Sequence, residues 1–192
     1  MVLPVVKYGD PVLRRKGARI EAITPEITSF IADMFDTMKA ARGVGLASQQ
    51  VGRAIQLTVI DVRGITDRPS KLWLQGTPAD VESFMPLVLI NPVVTASGPR
   101  VSGPEGCLSF PEIFGDVERH DEVEVTALNE RGETFSFKAA GLLARAVQHE
   151  VDHLNGLLFI DRMNAETRRD VQPEIDELQG ETRARLAKLA RK

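Results

Sequence analysis

The sequence predicts one domain that mixes helices with antiparallel strands, and three observations predict it. Apolar residues recur at helical spacing from about 25 to 41. Alternation through Val123, Val125 and Ala127 is answered across a turn by Thr134 to Lys138, and a second apolar helical pattern surrounds His149 and His153. With 192 residues, 43% hydrophobic and 27% charged, the chain can build one real core but not two comfortable ones. A net charge of −3 and a pI near 5.7 argue against a surface made throughout for nucleic acid, so any such contact is local. Met1 to Lys7 lacks the long apolar region of a signal peptide, and no stretch approaches the ~20 apolar residues of a membrane span. The expectation is a soluble, cytoplasmic protein with no membrane contact. The single cysteine, Cys107, cannot close an internal disulfide and suits a reducing compartment. That leaves it as a metal ligand, a nucleophile or a small buried residue.

In chain order, an arm containing Gly9-Asp10-Pro11 comes first. Thr24 then suits a helix N-cap and Pro25 the first helical position, while Ile27, Phe30, Ile31, Met34, Phe35 and Met38 form a core-facing stripe. Gly43 to Gly52 breaks that pattern with small residues. Alone this is a weak signal, common between a helix and a strand, and it lacks the Lys-Ser/Thr ending of a phosphate loop. Ile55 to Val62 and Leu87 to Ile90 read as strands. Between them, residues 64–86 carry Gly64, Pro69, Gly76, Pro78 and Pro86 and read as a surface loop, pinned by Trp73 and Leu74. Gly103 to Pro111 is rich in turn residues, with Cys107 at its centre. The 123–138 hairpin leads into the histidine helix, which Asn155-Gly156 stops. From about Glu166, Val171, Ile175, Leu178, Leu186 and Leu189 repeat at near-helical intervals, with interruptions expected at Gln172-Pro173 and Gly180. The last eleven residues hold Arg183, Arg185, Lys188, Arg191 and Lys192 and no acid, which suits either a phosphate contact or plain compensation of the helix dipole.

The chemistry concentrates in Gln148-His149-Glu150-Val151-Asp152-His153. Residues four apart share a helix face, so His149 and His153 can grip one ion while Glu150 stands about 100° round from His149. This is the H-E-x-x-H spacing: two neutral imidazoles hold the ion, an open position takes water, and the carboxylate takes and returns the proton. Ordinary helix residues could show the same spacing. However, Leu142 and Ala146 share the histidine arc and turn it inward, where polar groups need partners and a metal satisfies both imidazoles. Arg145 and Asp152 fall on the far side of that arc and read as a surface ion pair rather than as support for the metal.

Three stretches, Gly43 to Gln50, Glu105 to Ser109 and Gln148 to His153, resemble in content and order the three motifs of peptide deformylases. The likeness runs from the Gly9 to Arg14 arm through the C-terminal helix, apart from 64–86. It implies an α+β fold in which antiparallel strands wrap round a central metal-binding helix. A single catalytic domain would span 1–192, with a surface insertion at about 64–86 and a helical tail from about 165. The resemblance also implies that Cys107, His149 and His153 bind one divalent ion. Fe²⁺ would be the physiological choice, with Zn²⁺, Ni²⁺ or Co²⁺ also suited to a thiolate and two imidazoles.

The implied reaction removes the formyl group of N-formylmethionine at the start of a new polypeptide and releases formate. Glu150 would move the proton, and the Gln50 side-chain amide and Leu108 backbone N–H would stabilise the oxyanion. Gly43 and Gly45 would let substrate backbone lie alongside, and Val44, Leu142 and Ala146 would line a slot for the methionine. The implied partners are the nascent chain and the ribosome near its exit tunnel, reached through the basic tail. Ser48 and Gln49 depart from the family pattern, and Phe114 and Arg145 sit near positions bordering the substrate site; these bear on side-chain preference and the pocket mouth. Two other classes share part of the signal. A metallopeptidase would use His149, Glu150 and His153 but ordinarily takes its third ligand from Glu, Asp or His. A non-catalytic metal- or ribosome-binding protein would leave Glu150 and Gln50 without a task.

Overall fold

A computed structural model of the chain describes residues 1–191; Lys192, part of the basic tail, lies outside the described residues. The first helix, α1, is Pro25–Ala40, capped by the Thr24 side chain accepting from the Ile27 N–H, with Pro25 in its first turn. Its predicted stripe is buried at Ile27, Phe30, Ile31, Met34 and Met38, against β1 (Gly45–Ala47) and β2 (Leu57–Ile60). The expected strand from Ile55 to Val62 is thus shorter at both ends.

Residues 64–86 are not the expected surface loop. They hold β3 (Ser70–Leu74), β4 (Thr77–Ala79) and the single turn α2 (Val81–Phe84). Gln75 and Gly76, both at positive φ, form the two-residue turn that pairs Leu74 with Thr77. Leu72 is buried, and the Lys138 ammonium lies 5.5 Å from the Trp73 ring centroid. The strands escape a pattern search because they are short, half-exposed and interrupted by Pro78.

Next come β5 (Leu87–Cys107), β6 (Phe110–Leu128) and β7 (Thr134–Gly141), followed by α3 (Leu142–Leu154). Leu87 to Ile90 is only the buried start of β5. Its remainder pairs with β6 as a long ribbon whose register shifts after Ile90, Ser97 and Gly106, so of the turn-rich stretch Gly103 to Pro111 only Leu108 and Ser109 form the turn, between Cys107 and Phe110. Those shifts accommodate glycines and prolines that would otherwise break a strand. The predicted 123–138 hairpin is present as β6 and β7.

The sheet order is β1-β2-β5-β6-β7-β3-β4, with every neighbouring pair antiparallel. It curves round α3, which touches β1, β2, β3, β5, β6 and β7. Gly141 is required at the start of that helix: its φ is 69°, and a Cβ there would overlap the Pro69 carbonyl oxygen. Asn155 and a left-handed Gly156 end the helix as expected.

The chain closes with α4 (Ala165–Asp170) and α5 (Gln172–Leu189). The break falls at Val171, letting Pro173 sit in the first turn of α5. Gly180 does not interrupt α5, contrary to expectation; an isolated glycine costs a helix only about 1 kcal/mol. Ile175 packs α5 into a core shared with Leu13, Phe110 and Phe159. Among the described residues, no helix is long and apolar enough to cross a membrane.

Candidate metal centre

The end of β5 carries Cys107 to the face of α3 where His149 and His153 emerge one turn apart. One ligand atom from each of the three lies within 4.8 Å of the others. Cys107 Sγ is 3.3 Å from His153 Nε2, and the two imidazole centroids are 5.1 Å apart. Glu105, two residues before the cysteine, points to the same place. Its Oε2 lies 2.9 Å from His149 Nδ1, and because a carboxylate can only accept, Nδ1 carries the proton and Nε2 faces the cluster. His153 Nδ1 is buried without a hydrogen-bond partner among the described residues.

A charged network stands behind the histidines. Arg119 donates through Nε to Glu105 Oε1 (2.6 Å), through Nη2 to Oε2 (2.9 Å), and through Nη1 to Asp152 (2.8 Å). Arg162 grips the other side of Asp152 at 2.8 and 3.1 Å. Arg145 donates to Glu105 Oε1 (3.0 Å) and to the carbonyls of Val117 (2.8 Å) and Val101 (2.7 Å). The expected surface pair between Arg145 and Asp152 is therefore wrong: the β5–β6 ribbon covers that face of α3 and gives each residue different partners. Sequence reasoning assigned no role to Glu105, Arg119 or Arg162. Only Glu105 had a signal, its place in the Glu-Gly-Cys-Leu-Ser run.

Glu150 occupies a contrasting environment. It is 4% exposed, its Oε2 has no hydrogen-bond partner among the described residues, and burial raises its pKa to about 7. A Cβ on Gly45 would run into this carboxyl, so β1 can pass here only with glycine at that position. Burial also opposes ionisation of Glu105, but its bonds to His149 and Arg119 prevail and hold its pKa well below the usual range. Gln50, 1% exposed, ends a tight turn over Ser48–Val51. Its Oε1 accepts from the Ala47 N–H at 2.9 Å, which turns Nε2 toward Cys107 Sγ and Ser109 Oγ, each at 3.4 Å.

A cavity of about 490 Å³ opens over this cluster. Every residue named from the sequence for metal, catalysis or substrate lines it except His153, which lies beneath at 1% exposure. Phe114 and Arg145 also line it. The donor set fits a divalent ion: a thiol and two imidazoles converge, one imidazole is already oriented by a carboxylate, and an open cavity lies above. Beside the donors are a carboxyl suited to proton exchange near neutral pH and an amide donor, the parts needed to hydrolyse an amide.

The polypeptide deformylase family model matches residues 2–169. The peptide deformylase of Methylacidiphilum infernorum is 43% identical over 178 residues, covering 93% of each chain. That of Opitutus terrae is 43% identical over 187 residues, covering 96% of each. Among solved structures, the peptide deformylase of Legionella pneumophila superposes with a TM-score of 0.78 at 33% identity, covering 92% of this chain and 95% of that one. The Synechococcus elongatus enzyme, in complex with actinonin, gives 0.75 at 39% identity, covering 93% and 86%.

Proposed function

This chain belongs to the polypeptide deformylase family, metal-dependent hydrolases that remove the formyl group from new polypeptides, and from that premise we propose which of its residues do the work. Cys107, His149 and His153 hold one divalent ion. When bound, the ion supplies Lewis acidity, polarising the formyl carbonyl and making water easier to deprotonate. Glu150 takes a proton from the attacking water and returns it to the leaving amine, releasing formate; a buried carboxyl with one oxygen left without a partner among the described residues is placed to do both. The Gln50 Nε2 and the Leu108 N–H donate to the oxyanion. The substrate backbone runs along Gly43 and Gly45 beside β1, an edge strand with one side free for another chain. The methionine enters the slot of Val44, Leu142 and Ala146.

The observation that carries this reading is the buried Glu150 carboxyl, whose Oε2 has no partner among the described residues, beside three converging donors. Formate release from formyl-Met-Ala-Ser, abolished by chelation and restored by metal, is the expected result. Cleavage of the peptide bond without formate release would replace the reading with a metallopeptidase.

We assign Fe²⁺ as the ion in the cell, following family practice; metal analysis of protein purified without oxygen checks it. With a nascent chain as substrate, the reading places the enzyme in the cytoplasm. The exposed Arg183, Arg185, Lys188 and Arg191 support docking of the tail on ribosomal phosphates near the exit tunnel. Reversing the first three charges should weaken ribosome co-sedimentation at low salt, and unchanged co-sedimentation would remove the docking role.

A further inference from the structure

The mouth of the cavity carries one sign of charge. Four cationic side chains line it, Lys7, Arg42, Arg68 and Arg145, against two carboxylates, Glu105 and Glu150. Both carboxylates are buried, and Glu105 is saturated by Arg119, Arg145 and His149. Two of the cations are also committed: Arg145 to Glu105 and backbone carbonyls, and Lys7 through Nζ to the Leu108 oxygen at 2.7 Å. Arg42 and Arg68 differ. Among the described residues neither has an ion pair or a side-chain hydrogen bond; Arg42 is exposed and Arg68 half-buried.

Their backbones are held in place. The Arg42 N–H donates to the Lys39 oxygen and the next N–H, of Gly43, to the Met38 oxygen, so Arg42 directly precedes the Gly43–Gly45 edge. Arg68 precedes Pro69, whose oxygen accepts from the Leu142 N–H at 3.1 Å, and Ser70 Oγ accepts from the Leu143 N–H at 3.0 Å. Arg68 is thereby fixed beside the first turn of α3, next to the Leu142 wall of the methionine slot. The two uncommitted guanidiniums thus come from the two segments that border the slot, one leading into β1 and one packed against the start of α3.

We infer that this pair selects substrates by charge: the cleft prefers formyl-methionyl chains carrying acidic side chains at the second and third positions. The inference rests on the deformylase reading of the site. An extended chain advances about 3.3 Å per residue, so the few residues after the methionine must pass this rim as they leave. Arg42 and Arg68 face the peptide rather than the reacting carbon, so their effect enters KM rather than kcat. Pairs near a surface contribute modestly and are screened by salt. Opposed effects on acidic and basic chains, summed over two arginines, give a preference of about 5- to 20-fold at low ionic strength.

The test uses the metal-loaded full chain and three C-terminally amidated peptides, formyl-Met followed by Ala-Ala-Ala, Asp-Asp-Ala or Lys-Lys-Ala, with formate as readout. The expected result is a lower KM for the acidic than for the basic peptide by about 5- to 20-fold at low salt, shrinking toward parity near 1 M salt. In the Arg42→Glu, Arg68→Glu double variant the ratio should invert. Equal KM values for the acidic and basic peptides on the unaltered protein, with the neutral peptide hydrolysed, would overturn the charge preference alone. So would a ratio that the double variant leaves unchanged. No formate from the neutral peptide would overturn the deformylase reading and this inference with it.

Discussion

Glu105, on β5 behind the histidines, and Glu150, on α3 beside them, are both buried, yet their surroundings drive them to opposite states. Glu105 accepts from Arg119, Arg145 and His149, and those bonds keep it ionised despite its burial. Glu150 has one oxygen without a partner among the described residues and an elevated pKa of about 7. The difference teaches that position in a metal site does not decide what a carboxyl does; its hydrogen-bond partners do. A saturated carboxylate is a fixed strut, whereas an unsatisfied one is free to trade a proton.

The contrast is broken most severely at Glu150. Glu150→Gln keeps the shape and removes the proposed proton carrier, so kcat should fall about 10²- to 10⁴-fold with the metal retained. Gln50→Ala removes one proposed oxyanion donor and should lower kcat about 10²- to 10³-fold, again with the metal in place. Retained turnover in either variant would remove that residue from the chemistry.

Glu105→Gln attacks the strut. It loosens the His149 ring and leaves Arg119 with one fewer counter-charge, so metal affinity should drop about 10- to 100-fold, read by competition with a chelator. Unchanged affinity would mean that Glu105 does not orient His149. The smallest effect belongs to an ion pair outside the cavity lining, Arg14 with Asp161, both partly exposed. Burial tends to raise the Asp161 pKa, but the bond from Arg14 outweighs it and lowers the pKa. The pair therefore contributes stability above the ordinary aspartate range, and that contribution disappears as pH falls through the folded-state value. Arg14→Gln should cost less than about 1 kcal/mol near pH 7 in urea unfolding, and nothing at a pH where Asp161 is protonated.

How far the sequence revealed this molecule follows from the range of each interaction. His149 and His153 were legible because a helix places residues four apart on one face. The stripe of α1 and the β6–β7 hairpin announce themselves by local period. Arg119 was not legible: its partners are 14 and 33 residues away, and nothing near it in sequence implies a buried charge. Arg145 and Asp152 were misread for a related reason. A helical wheel tells which residues share a side but not that a ribbon of strands will cover the side opposite the histidines. The outer part of β5 and the short β3 and β4 lack alternation because most of their residues are not buried, so the pattern that signals a strand is missing where pairing alone builds it.

The most direct test of the division between strut and proton carrier is to prepare Glu105→Gln and Glu150→Gln in parallel. Bound metal and formate release are then measured on the same samples, with and without added metal. The account predicts that Glu150→Gln holds a full equivalent of metal and stays nearly inactive whatever is added, while Glu105→Gln loses metal on dilution and recovers turnover when metal is supplied. Metal loss from Glu150→Gln with rescue by added ion, or a metal-replete Glu105→Gln that remains as inactive as Glu150→Gln, would contradict it.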